Sequence, residues 1–429
     1  MLWGQQIDYA SLSDIGVRRT NNQDNFTVVI ETDRNAWEAY GHLFVVADGM
    51  GGHAVGELAS KIAVDTLPLS YKKSRDATIS EALRKAMQAT NLAIHERGTL
   101  NQEFLRMGTT CSSLVLGPEG ALVGHVGDSR IYRIRNGQID QLTFDHSLQW
   151  ELLRRGQGTP EEIFLYQPKN VITRSMGPEA NVEVDLEGPY PVFPGDTFLL
   201  CSDGLSNHVN DDELGTAAAE LPPADACRFL VNLANIRGGS DNITVTIARV
   251  GPIPEGAMPS QVRRDDASSE SAALWLGAAW GIAAFFCLGV ILMLIGKLIG
   301  GAVIAALAVI AAIVLWTKWR KSLPPPPLND HSHSTIMWRP YRSAPAKINR
   351  TFLNQVIEIQ TRLLQIADDE EWTYDKTEYQ KLVAEAKTAL SSKNYRQAFH
   401  LFAKLINTLM SGLPNGGPGS KKQSRFFRS

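Results

Sequence analysis

Cysteine is scarce in this chain of 429 residues. The four, Cys111, Cys201, Cys227 and Cys287, form no close pair and no metal-ligand spacing. They read as free thiols, three of them in apolar runs, and point to a reducing compartment for the soluble part. An excess of one charge sign is also missing. With 42 basic and 45 acidic residues the formal net charge is -3, so nothing points to nucleic acid as a partner. A phosphorylated substrate stays open, because a bound cation reverses the local field. No signal peptide is expected: Met1-Leu2-Trp3 lacks a basic n-region, and Asp8 and Asp14 arrive early. His125 and His146 have no partner at zinc spacing and read as structural or surface histidines.

Pattern is what the chain does have. Residues 1–251 read as one domain, with strand-like apolar runs at 26–30, 43–47, 111–116, 121–126, 130–134, 197–201 and 243–250. Only Gly127-Asp128-Ser129 separates 121–126 from 130–134, a hairpin-like spacing. Helices are expected over 54–67 and 76–97, which suggests an α+β or layered α/β/β/α fold. Residues 145–177 read as an inserted flap beside the site, or as an ordinary surface excursion.

Residues 252–271 form a linker rich in proline, serine and charge. Two apolar runs follow, 272–296 and 298–316, broken by Lys297. One helix over the whole stretch is far too long for a single crossing, so two transmembrane helices joined by a tight turn are expected. Basic residues flank both sides, Arg263 and Arg264 before, Lys318, Arg320 and Lys321 after. The positive-inside rule then puts both ends in the cytoplasm of a cell whose inner membrane holds the hairpin. Residues 317–350 read as a Pro-rich linker, with Pro324 to Pro327 as a stiff spacer. Residues 351–410 read as a separate helical domain and 411–429 as a disordered tail.

Four acidic motifs carry the chemistry: Gln23-Asp24, Asp48-Gly49-Met50-Gly51-Gly52, Ser202-Asp203-Gly204 and Ser240-Asp241-Asn242. Each borders a strand-like run. Carboxylates converging from distant segments make an all-oxygen site for two hard cations, the arrangement that suits phosphoryl transfer. Gly49 and Gly51-Gly52 let the backbone turn sharply, so that the Gly49 carbonyl can itself be a ligand. A single aspartate of this kind is more often a turn or a helix cap; together they are harder to explain that way.

These segments resemble the bacterial branch of the PPM/PP2C family of metal-dependent protein serine/threonine phosphatases. The likeness runs through Gly16-Val17-Arg18-Arg19-Thr20-Asn21-Asn22-Gln23-Asp24, Val46-Ala47-Asp48-Gly49-Met50-Gly51-Gly52-His53 and Gly108-Thr109-Thr110. It continues through Gly127-Asp128-Ser129-Arg130, Cys201-Ser202-Asp203-Gly204-Leu205 and Gly239-Ser240-Asp241-Asn242-Ile243-Thr244. It implies a four-layer α/β/β/α sandwich and two Mn2+ or Mg2+ ions, with a third, weaker one. By resemblance Asp48 bridges the metals with the Gly49 carbonyl on one of them, and Asp203 and Asp241 are ligands. Asp24 holds metal-bound water, Arg19 contacts the phosphoryl group, and Asp128 goes with the third ion or is simply a turn residue. The implied reaction is direct attack of a metal-bridging water on phosphoserine or phosphothreonine. Two positions depart from relatives: Gln23 replaces a common glutamate, and Met50 stands where animal relatives carry a histidine.

The implied partners are Ser/Thr-phosphorylated proteins, a counterpart Ser/Thr kinase and membrane lipid. The C-terminal helices resemble part of a tetratricopeptide-type pair, which offers a surface for a protein partner; an ordinary bundle is the alternative. Other function classes stay open: an inactive membrane scaffold on this fold, or hydrolysis of another phosphoester.

Overall fold

The computed structural model describes residues 7–51, 53–74, 78–104, 106–169, 171–251, 287–288, 291–297, 299–300, 302–308 and 340–413. Two compact units result, one from residues 1–252 with 338–429, the other from 253–337.

In the first unit, strands β1 (Ile7–Asp14), β7 (Arg130–Arg135), β8 (Gln138–Gln141), β10 (Thr197–Cys201), β11 (Ile243–Val250) and β12 (Arg342–Pro345) form one sheet in the order β1-β11-β10-β7-β8-β12. Strands β2 (Asp24–Val29), β3 (His42–Met50), β5 (Cys111–Gly117), β6 (Gly120–Val126) and β9 (Asp185–Tyr190) form the second in the order β2-β3-β5-β6-β9, with β4 (Gly108–Thr109) paired to β3. Every pairing is antiparallel.

Strand periodicity builds the layers. On β3, Phe44 and Val46 point between the sheets, while Leu43, Val45 and Ala47 point outward. The outward set packs under α2 (His53–Lys73) and α3 (Ile79–Thr99), through Ala63, Leu67, Leu83 and Met87. On β10, Phe198 and Leu200 join the inter-sheet core, and Leu199 and Cys201 face the other way. That face is covered by α7 (Asp211–Glu220) and α8 (Pro223–Ile236). Alternation of two buried faces on each strand is what makes an α/β/β/α sandwich, and this expectation is met.

The hairpin spacing at 127–129 is overturned. β6 pairs with β5 and β9 in one sheet, and β7 pairs with β10 and β8 in the other. Gly127-Asp128-Ser129 is therefore the crossing from sheet to sheet. Gly127 permits it: its φ is 116°, and a Cβ there would lie 2.6 Å from the Thr110 side chain.

Several elements escaped the sequence reading. β1 alternates polar and apolar residues on a sheet edge and is only half-buried. α7 and α8 were legible in principle, from the Asn210–Glu213 capping box and from Pro223 in the first turn.

The C-terminal region corrects two further expectations. Part of the supposed Pro-rich linker is β12, which pairs with β8 from Arg342 opposite Gln141 to Pro345 opposite Gln138. It covers an edge whose backbone groups would otherwise be left open. Helices α9 (Arg350–Asp369), α10 (Lys376–Ser391) and α11 (Tyr395–Ser411) do not stand as a separate domain. They share one continuous core with α7 and α8, in which Phe399 meets Phe229 edge-on at 5.6 Å between centroids and Phe352 at 5.5 Å. The physical reason lies in α8, whose stripe of Phe229, Leu230, Leu233 and Ala234 is too broad for one neighbour.

In the second unit, helical stretches are described at 291–294 and 302–308. Among the described residues no helix is long and apolar enough to cross a membrane. The expected spans 272–296 and 298–316 fall largely outside the described residues, the linker 252–271 and the tail beyond 413 wholly so.

Phe399→Ala is expected to cost about 3–5 kcal/mol, as for a large core aromatic. Because the core is shared, sandwich and C-terminal helices should lose stability together in one denaturant transition. Two separate transitions, with only the lower one shifted, would show that the helices are an independent module.

Candidate active site

The acidic residues gather because strand ends gather. Asp24 and Asp48 are opposite one another across β2 and β3. Asp48 is fixed from both sides of its peptide: its N–H donates to Thr110 Oγ1 at 2.9 Å, and its carbonyl accepts from Thr110 N at 2.8 Å and Thr109 Oγ1 at 2.9 Å. Asp203 follows β10 and opens the short helix α6 (Asp203–Ser206). Asp241 precedes β11, and Asp128 sits at the sheet-to-sheet crossing.

Two polar side chains tie these ends together. Ser202 Oγ donates to Asp24 Oδ2 at 2.7 Å and accepts from Thr244 N at 2.9 Å, linking the two sheets. Asn242 accepts from Gln23 N at 2.9 Å and donates to the carbonyls of Ile15 and Asn21, each at 2.9 Å. The loop carrying Arg19 is thereby held against the loop carrying Asp241, and Arg19 Nη2 donates to Asp241 Oδ2 at 2.7 Å. Glycine makes the closeness possible: a Cβ on Gly49 would lie 2.1 Å from the Gly56 carbonyl oxygen, and one on Gly204 only 1.9 Å from that of Asn242.

A cleft of about 440 Å3 opens onto Arg19, Asp48, Gly49, Asp128, Asp203 and Asp241. Asp24 lies buried behind it. So the candidate residues read from the sequence, Arg19, Asp24, Asp48, Gly49, Asp128, Asp203 and Asp241, all come to one place. Arg18 and Ile172 also line the cleft. Ile172 belongs to the 145–177 excursion, which therefore does reach the site; a lone isoleucine in a loop carries no signal of this.

Burial and, after it, crowding raise the acids. Asp48 is pushed well above the usual carboxylate range, first by burial, then by Asp24, Asp203, Asp128 and Asp241. Asp128 is also raised, by burial and then Asp203 and Asp145. Burial lifts Asp24 to about 7, with Asp203 and Asp241 adding to it against hydrogen bonds from Ser202 and Thr244. Asp203 rises to about 6 through burial and Asp241, opposed by a hydrogen bond shared with Asp48. His125 and His146 are apart from this cluster. Both are buried, 4.9 Å apart between ring centroids, with His146 Nε2 at 2.9 Å from Asp185 Oδ2, which makes them structural.

Comparison with known proteins decides the family. Residues 17–234 match the family model described as protein phosphatase 2C. The chain belongs to that family. Protein phosphatase PhpP of Streptococcus pneumoniae is 37% identical over 245 residues, 56% of this chain and 96% of that protein. Serine/threonine phosphatase stp of Listeria monocytogenes is 35% identical over 240 residues, 55% of this chain and 92% of that protein. Among solved structures, the S. agalactiae serine/threonine phosphatase matches at a TM-score of 0.51 and 36% identity, covering 57% of this chain and 99% of that one. The Mycobacterium tuberculosis phosphatase PstP/Ppp matches at 0.50 and 33%, with coverages of 57% and 99%.

Membership in the phosphatase 2C family implies metal ions, and the donor set fits them. Asp24 Oδ1 and Asp128 Oδ1 are buried without a hydrogen-bond partner. Half-buried Asp48 and Asp203 face the same cleft, and all the donors are hard oxygens, as Mg2+ or Mn2+ requires. Among the described residues no three acid, histidine or cysteine side chains already close into a metal cage. The fit is thus one of donor chemistry and placement.

The raised acids set a pH dependence. A carboxyl whose folded pKa exceeds its unfolded value contributes stability that is fully present below the ordinary 3.8 and is lost as pH rises through about 6 to 7. A divalent cation competes with those protons and offsets the repulsion that replaces them. Mn2+ is therefore expected to raise the Tm more at about pH 8 than at about pH 5. Equal shifts at both pH values would mean that the cation binds elsewhere.

Proposed function

We propose that the acidic cleft of this PP2C-type protein serine/threonine phosphatase hydrolyses phosphoserine and phosphothreonine by direct attack of water, with two divalent cations held by Asp48, the Gly49 carbonyl, Asp203 and Asp241. The observation that carries the reading is the convergence of Arg19 and four aspartates, from five separate segments, on one cleft, with Asp24 buried behind it. Mn2+ or Mg2+, when bound there, lowers the pKa of water and neutralises charge on the phosphoryl oxygens.

The chain's own groups do the rest. Arg19, half-exposed and oriented by Asp241, has N–H donors left for phosphoryl oxygens, which match its planar fork. Asp24 is held through Oδ2 by Ser202, leaving Oδ1 free to accept a proton of water. Asp128 presents a second free oxygen and is the candidate for the weaker third ion.

A covalent route has no candidate nucleophile among these residues. Burial pushes the thiols of Cys111 and Cys201 up to about 12. Ser202 Oγ is committed to Asp24 and Thr244, and Thr109 and Thr110 hold the Asp48 peptide. A scaffold with a decayed site fits poorly, since no acid of the set is missing.

Phosphate release from phosphothreonine peptides is expected to need Mn2+ or Mg2+ and to stop on chelation. Asp203→Asn and Asp48→Asn should each lower kcat by orders of magnitude, while Arg19→Ala should cut kcat/KM by roughly 10- to 100-fold, the worth of a charged hydrogen bond. Activity that survived chelation and the double aspartate variant would end the reading.

The apolar runs at 272–296 and 298–316 and their basic flanks support a membrane tether with phosphatase and C-terminus on the cytoplasmic side of the inner membrane. Phosphoproteins at that membrane and the kinase that modifies them are then the natural partners. The chain is expected to sediment with membranes and to resist extraction by carbonate; release into the carbonate supernatant contradicts the tether.

A further inference from the structure

A second cavity, of about 400 Å3, adjoins the acidic cleft. Asp128 and Asp203 line both, so the two share a wall. Its remaining walls come from distant parts of the chain: Arg130 from β7, Asp145, Phe164 and Lys169 from the 145–177 excursion, and Arg342 from β12. The family match ends at residue 234, so Arg342 is supplied by a segment beyond it.

Charge in this cavity separates into committed and uncommitted groups. Arg130 and Asp145 satisfy each other, with Nε and Nη2 at 2.9 and 2.6 Å from Asp145 Oδ2. Asp211 takes a hydrogen bond from the Tyr132 hydroxyl at 2.9 Å and lies 4.0 Å from Arg130 and 3.5 Å from Arg342. One carboxylate thus stands between two arginines, and its contact with Arg342 is the looser. Lys169 is exposed and has no ion pair among the described residues. Away from the shared wall, three cations face two carboxylates.

Arg342 is presented by a firm backbone. Tyr341 N donates to the Gln141 carbonyl at 3.0 Å, Ser343 Oγ donates to Asp140 Oδ1 at 2.7 Å, and Ala346 is buried against Ile139 and Gly215. Its side chain remains 47% exposed. Residues on either side anchor the strand while the guanidinium is left over the cavity.

We propose that Arg342, together with Lys169, is a specificity-determining residue: it binds an acidic side chain of the phosphoprotein a few positions from the phosphorylated serine or threonine. The inference rests on the phosphatase reading of the adjoining cleft. An extended peptide advances at most ~3.3–3.6 Å per residue, so a neighbouring cavity is reached within a few positions. Phe164, 39% exposed, adds an apolar wall on which a peptide backbone can lie. A carboxylate suits the planar fork of Arg342 better than it suits a lysine alone.

The test uses the 429-residue chain in detergent and two phosphothreonine peptides, one with glutamates beside the phosphothreonine and one with glutamines. The unaltered chain is expected to prefer the glutamate peptide about three- to tenfold in kcat/KM, the range of a partly exposed charged hydrogen bond. Arg342→Gln should remove most of that preference, through KM, and Arg342→Lys should restore part of it. An unchanged preference in Arg342→Gln, or an equal loss on both peptides, overturns the inference. Turnover of a small aryl phosphate reports the catalytic reading separately. If the chain turned over no phosphoester, fluorescence anisotropy of the labelled glutamate peptide would still decide: equal affinity for the unaltered chain and Arg342→Gln overturns the inference, and weaker binding by the variant supports it.

Discussion

Mutual repulsion among carboxylates is the constraint around which this molecule is built. Burial first, and then the charges of the neighbouring aspartates, raise Asp24, Asp48, Asp128 and Asp203, and in water such a group would simply move apart. They stay together because each sits at the end of a strand or at a turn between strands, and the strands are locked in two sheets over a shared apolar core. The burial of Phe44, Val46, Leu114, Phe198 and Leu200 holds in place an arrangement that electrostatics alone opposes.

Hydrogen bonding converts that placement into orientation. Ser202 and Asn242 carry no charge and no chemistry of their own, yet they connect the ends of both sheets and the Arg19 loop. Both are buried, so an unmade bond would be costly and the network is specific. The carboxylate oxygens it leaves unpartnered, on Asp24 and Asp128, are the ones with capacity for water or a cation.

The C-terminal region changes what the catalytic part is. α9 to α11 are joined to α8 through Phe229, Phe352 and Phe399, and β12 extends the sheet that carries Asp203 and Asp241 at its strand ends. A segment that follows the apolar runs in sequence thus returns to the sandwich and reaches the rim of the site with Arg342.

How much of this was legible beforehand follows from the range of each signal. Local patterns were sufficient for the strands β3, β5, β6, β10 and β11, whose apolar runs are buried on both faces, and for the acidic motifs with their glycines. They were insufficient for β1 and β12, edge strands of mixed polarity that exist because a neighbour offers unpaired backbone groups. The turn at Gly127-Asp128-Ser129 reads locally as a hairpin; which sheet β7 joins depends on β10, far along the chain. The sequence by itself determined the chemistry, since residue types and glycine positions set which groups can meet a phosphate and a cation. Tertiary structure alone decided that Ile172 and Arg342 stand beside those groups and that the C-terminal helices are part of the same body. Such contacts arise from packing between segments distant along the chain, and no local pattern encodes them.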